Sequence, residues 1–199
     1  LAGNINLIII YILSKIIVVV PARLNSTRLP GKILEDIKGE PMLLKVLNNC
    51  KKAKGIDYLL ACTDTLDVVR IISDWGFNAF LTPSSCASGS ERIFSIIDKI
   101  ITNKKNDKST LIINVQGDLP YLDYGIIEDM IQLFKKLKHP EVLTPIYNLE
   151  KKEIFNPNIV KVILNKKDEA ILFSRSAIPF IRDIKKEEWH IHNNYWGHV

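Results

Sequence analysis

Cysteine is scarce in this sequence. Cys50, Cys62 and Cys86 are the only three, widely spaced and without a CxxC pair. So sparse and odd a set excludes a disulfide framework and a structural zinc site, and suits a reducing cytoplasm with the thiols acting as small hydrophobes. Internal repeats and low-complexity tracts are absent, and so is the G-x-x-x-x-G-K-[ST] spacing of a Walker loop. Aromatic residues make up 8% and do not interleave with the lysine pairs at 104–105, 135–136, 151–152 and 185–186. The net charge of +5 therefore does not build a strand-binding groove, and nucleic acid is not expected as a partner. The pairs read as solvated helix ends and loops whose field helps to attract anionic small molecules.

One long apolar run exists, Ile5 to Val20, broken by Asn6, Ser14 and Lys15. It has no basic n-region for a signal peptide, and Lys15 sits badly inside a spanning helix, so no membrane association is expected. The run from Ile16 to Val20 reads instead as a buried strand. Residues 1–13 are taken as an upstream extension, with the domain starting near Ser14.

A composition of 47% hydrophobic and 25% charged residues suits a globular domain with a full core. From Lys15 onward strands alternate with amphipathic helices. Strands are expected at Ile16–Val20, Tyr58–Thr63, 79–82 and Leu111–Val115. Helical stripes run over Glu40–Lys54, Thr65–Trp75, Gly89–Ile101 and Asp123–Leu137, with Gly76 as a C-cap glycine. Strict alternation predicts an α/β class with a mainly parallel sheet between helical layers. After Pro140 short strands at 142–146, 159–164 and 170–174 predict an antiparallel excursion. The organisation expected is thus 1–13 extension, 14–140 nucleotide-binding domain, 141–185 excursion and 186–199 atypical terminus.

Three loops fall at carboxyl ends of strands, where ligands sit in open α/β sheets. PARLNSTRLPGK, Pro21 to Lys32, carries Arg23, Arg28 and Lys32 with Ser26 and Thr27, and Gly31 is expected to permit close approach to a ligand. Fixed cations and amides of this kind suit a polyphosphate. SGSER, Ser88 to Arg92, is a capping box at Ser88 and Glu91. Arg92 lies off the isoleucine stripe, available to an anionic substrate. NVQGDLP, Asn114 to Pro120, ends a strand in a carboxylate, Asp118, suited to Mg²⁺.

These blocks, with FNPNIVKVI (Phe155–Ile163) and FSRSAIPFIR (Phe173–Arg182), resemble the 3-deoxy-manno-octulosonate cytidylyltransferase family over about residues 14–182. The resemblance implies a three-layer Rossmann-like nucleotidyltransferase fold, a cytoplasmic homodimer, and Mg²⁺-dependent transfer of CMP from CTP to an acidic 2-keto sugar. It implies that Ala22, Arg23, Ser26, Arg28 and Lys32 hold the nucleotide and that Asp118 binds the metal. Arg23, Lys32 and Asp118 would be catalytic, and Arg92 and Gln116 would lie beside the substrates. The excursion would be a dimerisation segment, with Asn156, Pro157 and Arg175 in structural roles. Two departures stand out. Leu119 follows QGD where the family has an acidic residue. The family also continues past Val199 with sugar-binding residues and a second acidic metal ligand, so these 199 residues are expected to turn over poorly. Trp189 to Val199 is expected to be disordered despite its three histidines, His190, His192 and His198. An acylneuraminate-type cytidylyltransferase is the near alternative, and a remnant that binds nucleotide without turnover is the alternative of a different class.

Overall fold

The run KIIVVVP has no polar side chain between its ends, so only a position covered on both faces suits it, and it forms the central strand β1, Lys15–Pro21. The computed structural model describes residues 15–24, 31–101, 110–137 and 140–198. The upstream extension, Ser26, Thr27 and Arg28 lie outside the described residues. Two compact units divide the chain, Leu1–Lys138 and His139–Val199.

In the first unit β1 pairs in parallel with β2 (Tyr58–Thr63) on one side and β4 (Thr110–Asn114) on the other. Strand β3 (Asn78–Leu81) adds to β2, giving the order β3-β2-β1-β4. Alternate residues of β1 serve two cores. Val18 and Val20 pack with Leu43, Val46 and Leu47 of α1 (Met42–Lys52), Ile72 of α2 (Leu66–Asp74) and Ile127 and Ile131 of α5 (Tyr124–Lys136). Ile17 and Val19 pack on the opposite face against Ile93 of α3 (Gly89–Phe94) and Ile100 of α4 (Ile97–Ile100). The layers expected from the alternation are present. Gly76 closes α2 as anticipated, its N–H bonded to Ser73 O at 2.9 Å and that of Phe77 to Ile72 O at 3.1 Å.

The single helix expected over residues 89–101 is two. Ser95 Oγ donates to Arg92 O at 2.7 Å, and Ile96 N bonds three residues back to Ile93 O, so the α-helical ladder breaks there. The isoleucine stripe survives the break, because Ile93, Ile96 and Ile100 all stay buried.

The second unit is the expected antiparallel excursion, with the order β5-β8-β6-β7. Its strands are β5 (Ile146–Asn148), β6 (Lys161–Leu164), β7 (Ala170–Ser174) and β8 (Trp196–His198). Residues 186–198 are ordered parts of it rather than a loose end. Trp189, in the short helix α6 (Trp189–His192), and Tyr195 are each 1% exposed, and β8 lies between β5 and β6. Tyr195 Oη donates to Pro179 O at 2.7 Å and Trp189 Nε1 to Ile184 O at 3.0 Å, so both aromatic rings are buried with their polar ends satisfied. Arg175 donates to the carbonyls of Pro157 and Asn158, tying the FNPN and FSR blocks together.

Candidate active site

Three chain segments meet beyond the carboxyl edge of the parallel sheet. Pro21, Ala22 and Arg23 leave β1, and residues 86–89 precede and open α3. Gln116, Gly117 and Asp118 follow β4. Together with Lys32 and Arg92 they line one cleft. Each of the three motifs thus contributes described residues to the same cleft. Ala22 is buried and Arg23 exposed at its rim.

Close backbone approach builds the floor. Gly117 N bonds to Pro21 O at 3.3 Å, and a Cβ at Gly117 would stand 3.0 Å from that oxygen and 3.3 Å from the Ala22 Cβ. Any larger residue there would push on the end of β1, so glycine suits the turn by which the chain leaving β4 approaches it. The turn carries Asp118 to Lys32, whose Nζ lies 2.5 Å from Asp118 Oδ2. Gly31 has a conformational role in the fold. It is left-handed, with φ 76°, nothing stands within 4 Å of its Cβ direction, and it starts the 3-10 turn Lys32–Leu34.

The α3 terminus is a variant of the capping box read from SGSE, with the glutamate reaching the N–H one residue before the N-cap. Ser88 Oγ accepts from Glu91 N at 3.1 Å, and Glu91 Oε2 accepts from Ala87 N at 2.7 Å. Arg92 reaches the cleft, but its side chain is only 3% exposed. Nη2 pairs with Asp64 Oδ2 at 3.2 Å, and Nη1 donates to Thr82 Oγ1. Gln116 Nε2 donates to Asn114 Oδ1 at 3.3 Å. Cys62 lies under this edge, where burial pushes its thiol up to about 12 against the lowering pull of Arg92.

Asp64 is a residue that none of the sequence motifs singled out. It caps nothing, since Thr65 is the N-cap of α2 and its side chain makes no capping bond. The available signal was positional, because Asp64 directly follows a buried parallel strand just as the NVQGD carboxylate follows another. No group of three or more His, Cys, Asp or Glu gathers among the described residues, so His190, His192 and His198 form no cluster. His198 Nε2 instead pairs with Thr144 Oγ1 at 2.9 Å.

The cytidylyltransferase family model matches residues 17–198, past the Arg182 limit expected from motifs. The chain belongs to the cytidylyltransferase family. It is 38% identical over 169 residues to the 3-deoxy-manno-octulosonate cytidylyltransferase of Thermodesulfovibrio yellowstonii, covering 84% of this chain and 66% of that one. To the Proteus mirabilis enzyme of the same name it is 37% identical over 166 residues, covering 83% and 64%. The chain thus spans about two thirds of the length of these curated relatives. Among solved structures, a CMP:2-keto-3-deoxy-manno-octonic acid synthetase complexed with CTP superposes with a TM-score of 0.79. It shares 30% identity and covers 94% of this chain and 72% of that one. A 4-diphosphocytidyl-2C-methyl-D-erythritol synthase shares the fold alone, with a TM-score of 0.56 at 10% identity over 92% of this chain and 71% of that one.

Proposed function

We propose that this cytidylyltransferase transfers CMP from CTP to 3-deoxy-D-manno-octulosonate, releasing pyrophosphate, in lipopolysaccharide biosynthesis. The observation that carries the reading is the Lys32–Asp118 pair at the carboxyl edge of the parallel sheet, in a chain that resembles synthetases of that name. A sugar hydroxyl oxygen forms a bond to the α-phosphorus, its proton leaves, and the bond to the β-phosphate oxygen breaks. Charge grows on the departing pyrophosphate. Arg23 and Lys32 line the cleft as preorganised cations for that charge, with Ser26 and Arg28 of the intervening segment as further phosphate ligands by resemblance. Gln116 borders the same cleft and would lie beside the sugar by resemblance, while Arg92 lines it with its guanidinium held by Asp64 and Thr82.

Asp118 fits Mg²⁺ as a single protein ligand. Its side chain is 44% exposed at the cleft, and Mg²⁺ takes one or two carboxylates with phosphates and water completing its shell. When bound, the ion would neutralise phosphate charge.

We read the assembly as a homodimer through the second unit, whose edge strand β7 exposes Ile171, Leu172 and Phe173. The site of action is cytoplasmic, alongside CTP. No helix among the described residues is long and apolar enough to cross a membrane.

The test supplies CTP, Mg²⁺ and either 3-deoxy-D-manno-octulosonate or N-acetylneuraminate, following pyrophosphate release and the CMP-sugar mass. Product is expected with the octulosonate and little with neuraminate. Turnover of neuraminate in preference to the octulosonate would sink the sugar assignment, and failure of the chain to bind CTP would sink the nucleotide reading.

A further inference from the structure

Asp64 and Arg92 form the one ion pair among the described residues in which both side chains are nearly sealed from solvent, at 9% and 3% exposure. A pair so placed is costly to desolvate and tends to serve geometry more than stability. Each group also makes further hydrogen bonds. Arg92 holds Thr82 Oγ1, beyond the end of β3, and Pro83 O at 3.4 Å. Asp64 gives one oxygen to Arg92. Its other oxygen accepts from Thr65 Oγ1 at 3.1 Å and from the backbone N–H of Leu24 at 3.4 Å.

Leu24 is where the chain leaves for the basic segment. Gly31 N donates to Leu24 O at 2.8 Å, so residues 24 and 31 form a closed neck, with Lys32 immediately beyond it. The Leu24 N–H bond to Asp64 fastens that neck to the end of β2, and Arg92 fastens Asp64 to α3 and the end of β3. Lys32 and Arg23 flank the neck on either side along the chain. Their spacing over a polyphosphate therefore depends on where the neck is pinned.

We infer that Asp64, held by Arg92, is a positioning residue that pins the neck of the phosphate-binding segment at Leu24. It acts on the triphosphate through the backbone and touches no substrate. The inference rests on the CTP reading above. It also gives Arg92 a task its burial permits, orienting a carboxylate that in turn orients the loop.

The measurement is binding of CTP and of cytidine to wild type, Asp64→Ala, which removes the acceptor for Leu24, and the double variant Asp64→Ala/Arg92→Gln, which leaves no unpaired charge buried. Melting curves on each variant establish that it is folded. A pinning role predicts that CTP binding weakens about tenfold or more in both variants, as for loss of a site's preorganisation, while cytidine binding stays within about twofold. A purely structural role would lower the melting temperature and leave the CTP-to-cytidine ratio unchanged, and that outcome overturns the inference. Hydrogen exchange on wild type needs no variant. Protection of the Leu24 amide supports the pin, and unprotected exchange there refutes it. Wild type that bound no CTP would overturn the nucleotide reading and this inference with it. Wild-type CTP binding that Asp64→Ala left intact would overturn this inference alone.

Discussion

Lys32 and Asp118 cancel one another's charge across 2.5 Å, yet the proposed chemistry asks each for a different partner. Polyphosphate competes for the ammonium and a divalent cation for the carboxylate. Both side chains are partly solvated, so the pair is worth only ~0.5–1 kcal/mol, a factor of about two to five. Lys32→Met should therefore tighten Mn²⁺ binding about threefold without nucleotide, read by the loss of the free-ion electron resonance signal. Asp118→Asn should abolish that binding. In turnover the signs separate. Lys32→Ala and Arg23→Ala are each expected to cost at least ~100-fold in kcat with the fold intact, since each removes a preorganised cation. Equal Mn²⁺ affinity in wild type and Lys32→Met would show that the two groups do not compete.

The thiols give a second residue-scale test. Burial pushes Cys50 and Cys62 up to about 12. Both keep their protons in the folded chain where an unfolded chain with thiols near 9 has lost them. The unfolded state then binds fewer protons, so this contribution to stability is intact below pH 9 and is lost as pH rises toward 12. Iodoacetamide at pH 9 should leave both unmodified in the native protein and alkylate both in denaturant. Rapid native labelling of either would contradict its burial. At this scale the basic segment and Asp118 could be read from sequence, because cations and a carboxylate directly followed β-branched strands. The pairing of Asp64 with Arg92 could not, because the partners stand 28 residues apart and the strand-end position of Asp64 does not name a partner.

Among the elements, legibility followed the hydrophobic period. The runs KIIVVVP, YLLACT and TLIIN declared buried strands, and the stripes of α1, α2 and α5 declared amphipathic helices. The break at Ser95 carried no such signal, since the apolar stripe crosses it. Strand β6 shows a deeper limit. Lys161 opens it fully buried, and its Nζ donates to the carbonyls of Asn156, Ile159 and Arg175 at 2.7, 2.9 and 2.9 Å. A lysine in a short strand reads from sequence as solvent-facing. Here it serves as a three-way clamp between the FNPN and FSR segments, and burial pulls its pKa down, with Arg175 adding to that pull. Lys161→Met keeps the length and leaves three carbonyls without their donor. At 1–3 kcal/mol per orphaned group, less what water recovers, a loss of about 3 kcal/mol is expected on denaturant unfolding. A loss within 0.5 kcal/mol would mean that the carbonyls find other donors.

At the scale of the whole molecule each unit buries its own core, the first on both faces of the parallel sheet and the second around Trp189 and Tyr195. The second core was the less legible because its organising strand, Trp196–His198, has only three residues and no hydrophobic period. Its place comes from partners far away in sequence, with Gly197 opposite Tyr147 on β5 and opposite Lys161 on β6. Gly197 is only reachable by strands that pack directly over it. A Cβ there would lie 2.5 Å from Leu149 Cδ2 and 2.8 Å from Tyr147 Cε1. Those contacts are too short for any real methyl, so Leu149, itself buried, would have to move within its core. Gly197→Ala should cost about 1–3 kcal/mol by overpacking, although it alters no charge and no hydrogen-bonding group. Because each unit packs around its own residues, the cost should fall on one of them. Hydrogen exchange is the discriminating measurement: amides of β6 and β8 should exchange about 5- to 150-fold faster, the kinetic form of that free energy, while those of β1 keep their protection. Equal acceleration in β1 would mean that the chain opens as one cooperative body and that the division at residue 138 has no thermodynamic counterpart.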